Sequence, residues 1–105
     1  MATDRGLATF IMDQLYGLQA ACRPMMGEYV LYVDGKVVGG IYDDRLLVKP
    51  TSSALAMMPD AARELPYPGA KEMLLVDRVE DRDYLQTLLT SVAGDLPAPK
   101  KRRKS

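Results

Sequence analysis

Apolar and polar residues alternate through three short runs in the first half of the chain, 29–33, 36–42 and 45–49, broken at Asp34-Gly35 and Asp43-Asp44. Two-residue breaks of this composition suit type I′ turns, because Gly adopts positive φ without steric cost and Asp tolerates it better than most residues. The pattern predicts a three-stranded antiparallel meander. Tyr29, Leu31 and Val33 point to one face and Val30 and Tyr32 to the other, so both faces carry apolar groups. In a two-layer domain helices cover only one of them. The second, with Val30, Tyr32, Val38 and Leu47 as its candidates, is expected to meet a partner subunit, a loop or a ligand. Gly39-Gly40 in the middle run predicts a bulge or the close approach of a helix backbone.

The flanking segments change period. Leu7, Phe10, Ile11, Leu15 and Leu18 recur at three-and-four spacing and predict a helix over about residues 4–18, capped by Thr3 or Asp4. Residues 19–26 read as a short edge strand or an extended lead-in, since Pro24 has no N–H for a ladder. Pro50 closes the third run. Thr51, Ser52 or Ser53 caps a second helix to about Met58, with a further turn or so over residues 60–65. Residues 66–69, Pro-Tyr-Pro-Gly, are a loop or a brief extended segment. The run 73–76, Met-Leu-Leu-Val, has the length of a strand. Asp81 or Asp83 caps a last helix carrying Tyr84, Leu85, Leu88, Leu89 and Val92, with Gly94 as its stop.

Composition narrows the chemistry. The 105 residues contain no His and one Cys, so a Ser-His-Asp or Cys-His centre and the common zinc sets cannot be assembled within one chain. Asp43-Asp44 and Glu80-Asp81 are the acidic pairs, and neither resembles a calcium loop. A buried, inert thiol is the better reading of Cys22, and core filling the better reading of the seven methionines. No catalytic, cofactor or metal residue is assigned, and no enzyme activity is expected. No apolar run reaches the roughly 20 residues that span a bilayer, and no secretory signal is legible at the start, so a cytoplasmic protein with no membrane partner is expected.

Formal charge is zero, with 14 basic and 14 acidic residues, but five of the basic ones are Lys100, Lys101, Arg102, Arg103 and Lys104. Residues 1–94 read as one domain and 95–105 as a flexible arm rich in Pro, Lys and Arg. Cations without interleaved aromatics give attraction without base readout, so this arm can make weak, non-specific nucleic-acid contacts or serve only to solubilise.

The segment Arg23-Pro24-Met25-Met26-Gly27-Glu28-Tyr29, then Leu31-Tyr32-Val33-Asp34-Gly35-Lys36 and Asp43-Asp44-Arg45-Leu46-Leu47-Val48-Lys49, resembles the N-terminal domain of the TfoX/Sxy family. Leu65-Pro66-Tyr67, Met73 to Asp77 and the Leu-Pro-Ala-Pro-Lys ending extend the likeness to small single-domain members. Met26 stands where that family usually has Phe, and Glu28 where it often has Gly. The resemblance implies an α+β, two-layer, secretion-chaperone-like fold, an antiparallel sheet packed by helices in the order α-β-β-β-α-β-β-α, with a further short strand near Tyr67. It implies no catalytic residues. The expected function is a non-enzymatic, regulatory protein-interaction module linked to competence or transcription, forming a homodimer through its uncovered sheet face and meeting an unknown protein partner. The alternatives are a nucleic-acid-associated protein using the basic arm, and a small-ligand-binding protein or enzyme.

Overall fold

The structure is a computed structural model that describes residues 4–97. Nine elements follow one another: α1 (Arg5–Gln14), β1 (Ala20–Met25), β2 (Glu28–Val33), β3 (Lys36–Tyr42), β4 (Arg45–Val48), α2 (Ser52–Met57), β5 (Arg63–Glu64), β6 (Met73–Val76) and α3 (Arg82–Asp95). The strands form one antiparallel sheet in the order β1-β2-β3-β4-β6-β5. The α+β class and the expected order of elements are both present. The lead-in before the meander is a full edge strand of six residues, and the short strand near Tyr67 is β5.

Three of the connections use one device. Met26-Gly27, Asp34-Gly35 and Asp43-Asp44 each place two successive residues at positive φ, the signature of the type I′ turn whose twist matches that of paired strands. The last two turns follow from their residue types. The first does not, because Met has no side chain that eases left-handed backbone.

Helices cover one face. Ile11 and Leu15 from the α1 segment, Ala54 from α2, and Leu85, Leu88, Leu89 and Val92 from α3 pack on Leu31, Val33, Ile41, Leu46, Val48, Leu74 and Val76 of the sheet. Thr51 caps α2 by accepting from the Ala54 N–H, and Asp81 caps α3 by accepting from Tyr84 N–H. At α1 the Asp4 side chain makes no cap, and its own N–H donates to Asp44 Oδ1 at 2.7 Å. The alternative cap, Thr3, lies outside the described residues. α1 stops at Gln14, short of the expected residue 18, with Leu15 to Gly17 forming a turn. Gly94 does not end α3: Lys36 Nζ donates to the carbonyls of Ala93 and Leu96, and Asp95 accepts from Ser53 N–H, so contacts with β3 and α2 secure the last turn.

The two glycines of β3 answer to backbone, not to a helix. A Cβ on Gly39 would lie 2.0 Å from the Leu47 carbonyl oxygen of β4, and one on Gly40 would lie 2.5 Å from both the Tyr29 carbonyl oxygen and the Tyr42 ring. Beside them the register breaks: Leu31 pairs with Gly39 but Tyr32 with Val37, leaving Val38 as the extra residue of a β-bulge.

Candidate functional site

The face of the sheet turned away from the helices is divided. Its β3–β4 half is roofed by the loop between β5 and β6. Pro66 is buried there, and the Tyr67 ring meets the Tyr42 ring edge to face, centroids 6.1 Å apart at 62°. The Tyr42 ring in turn lies over Gly40, where any side chain would collide with it. The Arg45 guanidinium ties this strap down: its Nε donates to the Tyr42 carbonyl, one terminal nitrogen pairs with the Glu64 carboxylate and the other donates to the Leu65 carbonyl.

Two expectations for this face are corrected. Leu47 pairs across the sheet with Gly40 and is 0% exposed, so it is not available to a second molecule. Val38, also 0% exposed, belongs to the core cluster packed by the helices. The bulge reverses the alternation by one residue, which turns Val38 inward and sets Val37 opposite Tyr32. Val30 and Tyr32 do lie on the outer face, half-buried. The structure adds neighbours that alternation in the meander alone could not supply: β1 places Ala21 opposite Tyr32 and Arg23 opposite Val30, both exposed. A signal for them existed in the short apolar run before Pro24. Lys100, Lys101, Arg102, Arg103 and Lys104 lie outside the described residues.

Two hollows flank this face. One, of about 610 Å³, is bounded by Gln19, Ala21, Arg23, Tyr32 and Asp34 at the open half. The other, of about 670 Å³, runs under the strap between Tyr42, Lys49, Tyr67, Lys71, Glu72 and Met73. Burial pushes the Tyr42 phenol above its ordinary pKa, and the nearby Tyr67, Glu28 and Tyr32 add to the shift, so it stays a neutral donor at physiological pH. Burial also raises the Cys22 thiol, which depletes the thiolate and makes it a poor nucleophile. Among the described residues no three His, Cys, Asp or Glu side chains gather where they could hold a metal ion. No helix among them is long and apolar enough to cross a membrane.

Comparison with known proteins gives one informative match. A Spirochaeta aurantia protein, described as an uncharacterized 12.7 kDa protein in the trpE 5′ region, is 44% identical over 105 residues, covering 98% of this chain and 91% of its own. No family model matches the sequence. No solved structure matches it.

Proposed function

Since this chain belongs to the family of the Spirochaeta aurantia 12.7 kDa protein, we propose that it works as a TfoX-like, non-enzymatic regulatory module that binds a protein partner through the open half of its outer sheet face. The observation that carries this reading is the division of that face. One half is sealed by the chain's own strap, while the other leaves Val30 and Tyr32 only half-covered, beside exposed Ala21 and Arg23. An apolar and aromatic surface bordered by one cation has the composition of an interface centre. The test is affinity capture from the source cell with wild type, Tyr32→Asp and Arg23→Glu. A specific protein held by wild type and lost with both variants, at unchanged melting temperature, is expected. Equal recovery with all three baits would sink the reading.

A second reading rests on the hollow under the strap, where two tyrosine rings stand beside Lys49 and Lys71. That set suits a small planar anion. A thermal-shift screen of aromatic carboxylates and nucleotides decides it, because a ligand at 100 times its Kd adds about 2.7 kcal/mol. A flat screen removes this reading.

A further inference from the structure

The edge of the sheet formed by β1 has a main-chain pattern that fits a second copy of itself. The Met26-Gly27 turn makes Met25 and Glu28 the hydrogen-bonded pair that closes the hairpin, so such pairs recur at every second residue. The series continues past the strand, where Asp34 N–H donates to the Gln19 carbonyl at 2.8 Å. The N–H and C=O groups of Gln19, Ala21, Arg23 and Met25 therefore turn toward β2. Those of Ala20, Cys22 and Pro24 turn outward, along the edge where, among the described residues, no further strand lies beside β1. Pro24 sits in the outward series, so its missing N–H costs the hairpin nothing.

We propose that two copies of this chain pair antiparallel through β1, about a two-fold axis at Cys22, and join their sheets into one. In that register Cys22 N–H of each copy donates to the Cys22 carbonyl of the other, and Ala20 N–H to the opposite Pro24 carbonyl. This makes four main-chain bonds, and the two deficits, one at each Ala20–Pro24 pair, fall where proline has nothing to donate. Moving the axis to Arg23 sets Cys22 against Pro24 and halves the number. Moving it to Ala21 also gives four, all between Ala20 and Cys22, but it leaves Pro24 against Leu18, where the chain has already left the strand, and takes the axis off Cys22.

The helix above the edge obeys the same symmetry. An open trough of about 440 Å³ runs between α1 and β1, bounded by Arg5, Thr9, Met12 and Asp13 above and by Cys22 and Pro24 below. It leaves room at the edge for the mate. Arg5 and Asp13, both exposed, lie four residues on either side of Thr9, which shares the trough with Cys22. A two-fold axis through the trough runs the two α1 helices antiparallel and brings Arg5 of each copy toward Asp13 of the other. Hydrogen-bond pattern and charge pattern thus select the same partner, another molecule of this chain.

This proposal does not depend on the partner reading above, and its failure leaves that reading standing. The test combines light scattering across a concentration series with oxidation of the full chain by copper phenanthroline. Opposed residues of a hydrogen-bonded pair have Cα atoms about 5.5 Å apart, inside the range a disulfide bridges. The expected result is a doubled mass in solution and a covalent dimer linked Cys22 to Cys22. Arg5→Glu should weaken association several-fold, and adding Asp13→Arg should restore it. A monomer at every concentration, or a dimer that never links through Cys22, overturns the proposal. An Arg5→Glu protein that associates as tightly as wild type overturns the helix contact. Should a dimer form that Tyr32→Asp dissociates while Cys22 stays unlinked, the sheet face, not the edge, joins the copies.

Discussion

Met26 is the residue whose conformation its own chemistry explains least. It holds φ at 53° at the tip of the β1–β2 hairpin with 96% of its surface exposed, so no packing compensates the strain of left-handed backbone. What maintains it is the turn itself, since a two-residue connection between paired strands requires positive φ at both positions. Met26→Asn, which supplies the preferred Asn-Gly pair, is expected to stabilise the protein by about 0.5–1 kcal/mol. A thermal melt reads this as a rise of a few degrees, and a fall would show that Met26 makes a contact beyond the turn. Gly39 presents the opposite case. The β4 carbonyl occupies the place of its missing side chain, so Gly39→Ala must part β3 from β4 and should cost about 3 kcal/mol or more. Chemical denaturation checks it, and a loss under about 1 kcal/mol would mean the strands separate easily.

At the scale of elements, the strap from β5 to β6 matters most, because it decides which half of the outer face is free. Its hold is concentrated in Arg45, which reaches the carbonyls at both ends of the covered region and the Glu64 carboxylate. Arg45→Ala should destabilise the fold by about 1–2 kcal/mol, since the pair is partly solvated. The sharper readout is local. Amide exchange in β4 around Leu47 and proteolysis within residues 65–72 should both accelerate, while exchange in α3 stays slow. Uniform acceleration would show that the strap and the core open together. The helix ends follow another logic: Asp81 closes α3 through Tyr84 N–H and Arg78, while Asp95 reaches across to α2 at Ser53.

For the whole molecule, these two carboxylates predict the response to acid. The Tyr84 N–H and then the Arg78 guanidinium hold Asp81 below its ordinary pKa, and the Ser53 N–H and the hydroxyls of Ser53 and Thr51 do so for Asp95. A pKa depressed by folding contributes stability above the unfolded value, near 3.8 here, that is lost as pH falls through the folded one. The melting temperature should therefore hold from neutral pH to about 5 and drop below 4. Asp81→Asn with Asp95→Asn should flatten that limb, and an unchanged slope would assign acid sensitivity to other carboxylates. Tyr42 acts at the other end of the scale: its raised pKa favours the folded state below about pH 10, and that contribution is lost as pH rises through the folded value.

The sequence by itself determined the three-stranded meander with both its turns, the three helices and the two-layer class. Periodicity and turn chemistry are local properties, written within a few residues of where they act. The tertiary structure alone decided which outward-facing residues are free. Val38 turns inward because a single bulged residue reverses the alternation on either side of it; Gly39-Gly40 signals a bulge in this run, but not that Val38 is its extra residue. Leu47 is sealed in the half of that face where Tyr67, some twenty positions along the chain, folds back onto Tyr42. The first turn falls at Met26 because β1 finds β2 as a partner, and strand pairing overrides the reluctance of one side chain. Alternation assigns a residue to a face, but only the path of the rest of the chain settles what covers that face.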